Sequence, residues 1–392
     1  MPDARANTSR QFAAIACGGT GGHLFPGVAV GEELLRRDCA VTLMVSPKDI
    51  DQQAVRSVSG MSVVTLPAVG LQRGGVFGFL SGFWKSYRQA RAVFAERAPH
   101  FVLAMGGFVS APPICAARSF GAKRFIHESN TIPGKANRWL SRMVDGAFVY
   151  FPETASQLRA PRVEVVGMPV RPPFLQPMTQ AAARTALGLD ENAPVLLVMG
   201  GSQGAKGVND LVVAILPQLK AAAPELQCIH LTGASGVEEV RRAYAAQNFR
   251  AIVEPFLVGM GTVLAAADVA VSRAGASSLA ELAARQLPAV LIPYPTAADD
   301  HQSHNARAFV QTGAARSMQQ RGGAPKQLLR DILELLRDSS QRGAMQRALA
   351  QWHKPGAAAE IAEAILRWPE NRRVAAPGAV DFKSAKMGAL NA

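Results

Sequence analysis

The chain is poor in the residues that mark secreted, metal-held or membrane-spanning proteins. Its 392 residues include four widely spaced cysteines, Cys17, Cys39, Cys115 and Cys228, which form no Cys-x-x-Cys pair and no Cys/His ligand cluster. A reduced cytoplasmic compartment is the expectation. No stretch reaches the roughly 18 uninterrupted apolar residues of a membrane span, and MPDARANTSR lacks the apolar core of a signal peptide. A soluble or peripheral protein is therefore expected. Acidic residues are also few, 29 against 42 Lys and Arg, so the formal charge is +13 and the isoelectric point is about 10.1. Such a surface attracts a polyanion, whether nucleic acid, anionic bilayer or phosphorylated substrate. Aromatic residues are only 6% of the chain, and no aromatic-rich binding strand, zinc signature or helix-turn-helix signature occurs. Nucleic acid is accordingly not an expected partner. Residues 1–160 carry 18 Lys and Arg against 10 Asp and Glu, so the anionic partner is expected to meet the first part of the chain.

What the chain does have is length and 48% hydrophobic content, enough for two buried cores. An apolar run at 12–17 meets glycines at 18–22. Pro26 then suits the first turn of a helix carrying Val28, Val30, Leu34 and Leu35, before a second apolar run at 40–45. That is a β-α-β unit. Further buried strands are expected at 62–66, 101–105, 124–127 and 146–150, with helices at 83–97 and 135–143. The first half reads as a doubly wound α/β sheet. A proline-rich segment, Gly167-Met168-Pro169-Val170-Arg171-Pro172-Pro173, acts as a linker. Strands then recur at 195–199, 227–232, 251–254, 269–272 and 289–293, and helices at 326–336 and 345–366. The expected domains are 10–168 and 172–345, followed by a helical segment at 346–367 and a frayed Ala/Gly/Pro-rich tail at 369–392.

Three glycine-rich turns follow expected strands: Gly18-Gly19-Thr20-Gly21-Gly22-His23, Gly106-Gly107-Phe108-Val109-Ser110, and Gly200-Gly201-Ser202-Gln203-Gly204-Ala205-Lys206-Gly207. Glycine lets the backbone approach an anion, and the helix that follows offers unpaired N–H groups and a partial positive charge. Ordinary strand-to-helix turns also use glycine; three such turns with Ser or Thr among the glycines favour phosphate binding. The spelling excludes two familiar loops. Leu24 stands where a G-x-G-x-x-G counted from Gly19 needs glycine, and Ala205-Lys206-Gly207 is not a Walker ending. At Ser272-Arg273-Ala274-Gly275-Ala276-Ser277-Ser278-Leu279-Ala280-Glu281, another strand meets a helix. A carboxylate at Glu281 can accept from two vicinal ribose hydroxyls, or can be a first-turn acid favoured by the helix dipole. The polar run Asp299-Asp300-His301-Gln302-Ser303-His304-Asn305-Ala306 lies at a carboxyl sheet edge, where α/β folds bind ligands.

In their order, these strings, together with His127-Glu128-Ser129-Asn130, closely resemble the MurG family, the peptidoglycan transferases that add N-acetylglucosamine to lipid I and make lipid II. The resemblance spans roughly residues 10–365. It implies a GT-B fold of two Rossmann-like domains facing a cleft, with the acceptor and the membrane on the first domain and the UDP-sugar on the second. It implies too that 346–367 packs back on the first domain. Carried over by position, Ser202 contacts the donor phosphates and Arg171 lies near the nucleotide. Leu257 brackets uracil through its backbone, and Ala276, Ser277, Ser278, Leu279, Ala280 and Glu281 hold phosphates and ribose. His301 and Gln302 read sugar hydroxyls, while Thr20, Gly21, Gly22 and Asn130 close on the donor sugar and the acceptor. Phe108, Ser129 and Met168 depart from the family's usual Tyr, Gln and Asn. Peptidoglycan synthesis, and with it cell shape and division, would be the setting, at the cytoplasmic face of the inner membrane. Another GT-B protein, such as a UDP-N-acetylglucosamine 2-epimerase or a different lipid glycosyltransferase, is the alternative.

Inverting transfer to the acceptor 4-hydroxyl needs a base on the acceptor side. His23 leads, because an imidazole can be neutral at cytoplasmic pH, and Glu128 is second. Charge on the departing β-phosphate can be met by N–H donors of the 200–207 loop, so no cofactor and no bound metal are expected. A membrane-facing patch is expected at Phe77, Phe79, Leu80, Phe83, Trp84 and Lys85, extended by Arg88 and Arg91, because rings can enter the headgroup boundary while cations meet anionic lipid. Burial of the same rings in a core is the competing reading.

Overall fold

The computed structural model describes residues 10–368 except Thr20, Ser57, Ser202, Gln203 and 321–323, with backbone only at Ile50, Gln53, Ala54, 71–74 and Ala298. Thr20, Ser202 and the 369–392 tail thus lie outside the described residues. Two parallel sheets are built. The first comprises β1 (Phe12–Ala16), β2 (Ala40–Val45), β3 (Ser62–Thr65), β4 (Phe101–Ala104), β5 (Lys123–Glu128), β6 (Gly146–Val149) and β7 (Val163–Val165), in the order β3-β2-β1-β4-β5-β6-β7. The second comprises β8 (Val195–Met199), β9 (Gln227–Leu231), β10 (Ala251–Glu254), β11 (Val269–Ser272), β12 (Ala289–Leu291) and β13 (Arg316–Ser317), in the order β10-β9-β8-β11-β12-β13.

Strands buried on both faces need apolar residues throughout, and alternation then sorts them into two layers. Ala13 and Ile15 of β1 join the cluster under the helix Gly21–Arg36, whereas Ala14 and Ala16 join the opposite cluster with Phe94 and Ile114. The helix Ala357–Leu366 completes the first cluster: Ile361, Ala362 and Ile365 pack with Leu24, Val28 and Leu34. The last described helix therefore belongs to the core of the first domain.

Several expectations need correction. The single helical segment expected at 345–366 is two helices, Ser339–Trp352 and Ala357–Leu366, separated where Pro355 lacks an N–H and Gly356 offers no side-chain packing. Met345, Ala348 and Leu349 belong to the core of the second domain, so a boundary at 346 falls inside a helix and the crossing lies at 353–356. Around the crossing, Tyr150 and Phe151 meet Phe309 and Trp352, the last two stacked with ring centroids 4.5 Å apart. The helix expected at 83–97 is longer, Leu71–Glu96, with one left-handed residue inside at Gly75, φ 57°. Pro26 lies not in the first turn but inside the helix Gly21–Arg36.

Candidate functional site

In each sheet the strand order reverses once, between β1 and β4 and between β8 and β11, and ligands of open α/β sheets bind at the carboxyl side of such a reversal. The first two glycine turns follow β1 and β4, the third follows β8, and the 272–281 turn follows β11. All four therefore occupy switch points. The two edges touch. Pro26 cannot donate to the carbonyl four residues back, and that carbonyl, of Gly22, instead accepts from the Ser277 hydroxyl of the other domain at 3.4 Å.

His23 is seated on the β4 turn. Gly106 and Gly107 have φ of +108° and +77°, and a Cβ built on them would stand 3.0 Å from His23 Nε2 and 3.1 Å from its Nδ1. Only glycine leaves room for the imidazole there. Burial pushes His23 down to about 4; Asp51 and a hydrogen bond with the Gly18 backbone oppose the shift, and Lys48 and His301 add to it. The ring is half-buried and neutral at cytoplasmic pH.

Glu128, 3% exposed, is fully engaged by the protein. Its Oε1 accepts from the Asn130 backbone (3.0 Å) and Nδ2 (3.2 Å), and its Oε2 accepts from the Gly134 backbone (3.0 Å) and Asn137 Nδ2 (2.9 Å). Burial raises its pKa against those four donors. The carboxylate shapes the 128–134 loop and presents Asn130, whose Oδ1 accepts from Asn305 Nδ2 of the second domain at 3.0 Å. Asn305, wholly buried, was not singled out from sequence. Its Oδ1 accepts from the Thr131 N–H and hydroxyl, both at 3.0 Å, and its Nδ2 also donates to the Ala274 carbonyl at 3.2 Å. One amide joins the β5 loop of one sheet to the β11 turn of the other.

On the second domain, Gly201 and Gly204 have positive φ, and a Cβ on Gly204 would meet the Thr232 carbonyl at 2.4 Å. The helix Ala276–Ala284 opens toward the cleft with the N–H groups of Ala276, Ser277 and Ser278 in its first turn, which lack partners within a helix. Leu279 already donates to Gly275, and the Leu279 and Ala280 side chains are buried in the domain core. Glu281 is 19% exposed, and its Oε1 lies 3.8 Å from Arg171 Nη2. Burial raises it to about 7, with Arg171 opposing. The Arg171 guanidinium also lies 4.0 Å from the Phe25 ring centroid and so spans the cleft. Leu257 is half-buried between exposed Phe256 and Val258. His301 and Gln302 open the helix His301–Gln311 after two left-handed residues, Asp299 and Asp300, and Gln302 Oε1 accepts from the Tyr294 N–H at 2.9 Å. His301 is close enough to act on His23 across the cleft.

Of the departures, Phe108 lies beside Gly19 and under Lys48, Met168 is buried in the apolar cluster with Tyr150, and Ser129 is buried next to Asn130. On the helix Leu71–Glu96, Phe77 (90%), Leu80 and Trp84 are exposed, as are Lys85, Arg88 and Arg91, while Phe79 and Phe83 are half-buried. Residues 77, 80, 84, 88 and 91 recur at helical spacing and share a face. Among the described residues no helix is long and apolar enough to cross a membrane, and no three His, Cys, Asp or Glu side chains converge as a metal-ligand set.

Residues 13–149 match the Glycosyltransferase family 28 N-terminal domain and residues 195–361 its C-terminal domain. The chain is similar to proteins named UDP-N-acetylglucosamine–N-acetylmuramyl-(pentapeptide) pyrophosphoryl-undecaprenol N-acetylglucosamine transferase. That of Geobacter sulfurreducens is 36% identical, over 90% of this chain and 97% of that protein. That of Sorangium cellulosum is 36% identical, over 96% and 97%. Among solved structures, Acinetobacter baumannii MurG superposes with a TM-score of 0.72 at 27% identity, covering 91% of this chain and 99% of that one. A putative UDP-N-acetylglucosamine 2-epimerase of Listeria monocytogenes shares the fold at 13% identity, with a TM-score of 0.68 over 91% and 96% of the two chains.

Proposed function

The chain belongs to the MurG family within glycosyltransferase family 28 and transfers N-acetylglucosamine from UDP-N-acetylglucosamine to lipid I, forming lipid II; we propose that His23 is the base of this transfer. The fold is GT-B, two Rossmann-like domains facing a cleft. The observation that carries the assignment of His23 is the neutral imidazole seated on the Gly106-Gly107 turn, at the switch point of one sheet and facing that of the other. As the acceptor 4-oxygen bonds to the sugar C1, its proton passes to His23, and the C1–oxygen bond to the β-phosphate breaks with its electron pair leaving on UDP. Glu128, with both oxygens already accepting, acts by holding Asn130 in place. The 200–207 loop and the first N–H groups of the helix Ala276–Ala284 receive the departing charge without a metal. Leu279 and Ala280 serve as the buried seat of that helix. Labelled UDP-N-acetylglucosamine with a lipid I analogue tests the reaction: labelled lipid II is expected, whereas epimerised donor sugar without transfer would overturn it.

The exposed face of the helix Leu71–Glu96 is the membrane contact. Gly70, just before it, stands 3.6 Å from the Phe108 ring when given a Cβ, so the patch borders the acceptor side of the cleft. A peripheral position on the cytoplasmic face of the plasma membrane follows, with cations meeting anionic lipid. Because Phe77 is far more exposed than Phe79, Phe77→Asp and Trp84→Asp are the informative changes. Each is expected to weaken binding to anionic vesicles by about tenfold or more, from the loss of one inserted ring worth ~1.5–3 kcal/mol. Unchanged co-sedimentation of folded variants would refute the patch.

A further inference from the structure

The turn that leads into the helix carrying His23 is gripped from behind by two residues to which neither the sequence nor the reaction has so far given a role. Asp51 is wholly buried beneath the carboxyl ends of β1 and β2. Its Oδ2 accepts from the Gly19 N–H at 2.6 Å, from the Ser46 N–H at 3.3 Å and from the Ser46 hydroxyl. On the other side of the same residue, Lys48 Nζ donates to the Gly19 carbonyl at 2.5 Å, with the ammonium 5.3 Å from the Phe108 ring centroid. Gly19 has φ of +100°, and a Cβ there would stand 3.0 Å from the Phe108 ring. Gly18 is as confined, since its Cβ would stand 2.5 Å from the Ser46 nitrogen. The turn therefore has no free dimension: an anion holds its N–H, a cation its C=O, and a ring its flank. Asp51 is thus committed to the backbone of this turn.

We propose that Asp51 and Lys48 are a positioning pair for the transfer, clamping the Gly19 peptide so that His23 faces the acceptor hydroxyl and balancing opposite charges behind the imidazole. This rests on the reading of His23 as the base. A buried carboxylate is an expensive element in a purely structural brace, since an uncharged amide of the same shape meets less desolvation. Its charge is used if it acts on the ring. Among the described residues, Asp51 stabilises the imidazolium of His23, Lys48 and His301 disfavour it, and His127 feels it from β5.

The test compares Asp51→Asn, Lys48→Met and His23→Ala in the full chain, measuring kcat, the KM for UDP-N-acetylglucosamine and the pH dependence of kcat. Both clamp variants are expected to lower kcat by about 10- to 100-fold, as displacement of a catalytic group does, with the donor KM within threefold of the parent. Their acid limbs are expected to move in opposite directions: down for Asp51→Asn, which removes the anion that favours imidazolium, and up for Lys48→Met, which removes the opposing cation. A merely structural role does not predict opposite shifts. Kcat within threefold of the parent in both variants, limbs moving the same way, or kcat and donor KM worsening in parallel would each overturn the proposal. If Asp51→Asn does not fold, Lys48→Met alone decides, because its side chain is only half-buried. The base assignment fails separately, when His23→Ala costs less than tenfold while the clamp variants still lose kcat at constant donor KM.

Discussion

Alanine at position 23 lowers turnover by about 10²–10⁴-fold, the range for loss of a general base, and leaves affinity for UDP nearly unchanged. The second half of that expectation follows from the architecture: His23 sits on the first domain, whereas the glycine loop after β8 and the helix Ala276–Ala284, to which we assign the diphosphate, sit on the second. The first half follows from the chemistry, because His23 presents a neutral imidazole on the acceptor side, whereas both Glu128 oxygens already accept from four donors. The pH profile carries a sign. Transfer needs neutral imidazole, so activity is present above the His23 pKa and lost as pH falls through it. In the donor-free enzyme that value is about 4, so the kcat/KM profile has no acid limb from His23 above pH 5. The bound diphosphate favours imidazolium, so the limb in kcat lies at higher pH than the limb in kcat/KM. Steady-state kinetics between pH 5 and 9 checks both, and a loss under tenfold in the alanine variant removes His23 from the role.

Glu281→Gln weakens binding of UDP by about 30- to 100-fold, the ~2–3 kcal/mol of hydrogen bonds to a charged acceptor in a largely enclosed site. Glu281 is held near neutrality by burial, at about 7, with Arg171 as its opposing cation. With Glu281 assigned to the ribose, as we propose, two donating hydroxyls would favour the carboxylate, so nucleotide binding is expected to expel a proton. Affinity therefore rises as pH increases through about 7 and falls below it. The glutamine variant loses that dependence together with the affinity. In the reaction the loss is expected in KM with kcat little changed, since the ribose lies far from the bond that breaks. Calorimetric titration with UDP in buffers of different ionisation enthalpy measures the affinity and the released proton; a change under threefold would detach Glu281 from the ribose.

Much of this arrangement was legible because parallel strands buried on both faces must be apolar runs. The runs at β1, β2, β8 and β11 were read within a residue, and those at β1, β8 and β11 lead into the glycine-bearing turns that mark the cleft. The misreadings have physical causes. Gly74, Gly75, Gly78 and Gly82 make the first turns of the helix Leu71–Glu96 look like loop; Gly75 does leave helical geometry, whereas the rest of the helix, which packs on the helix Ala111–Ala117, keeps it. The short edge strands β7 and β13 carry Glu164 and Arg316 and show no apolar run. The residues that grip the site were the hardest to see. Asp51 acts on a glycine 32 positions earlier and Asn305 on a threonine 174 positions away, and no periodicity encodes such a contact. The polar run containing Asn305 marked the right place, although the asparagine acts as a tie between domains within it.

The return of the helix Ala357–Leu366 to the first domain sets an order of events on the ribosome. The amino-terminal sheet emerges first, but Leu24, Val28 and Leu34 wait for Ile361, Ala362 and Ile365 before that face is covered. At translation rates of roughly 5–20 residues per second the wait is about 10–40 s. During that interval the whole second domain is made and can fold on its own cluster. The domain begun first is finished last, so a chain cut short before residue 357 keeps the core of its second domain and leaves its first domain with an open apolar groove.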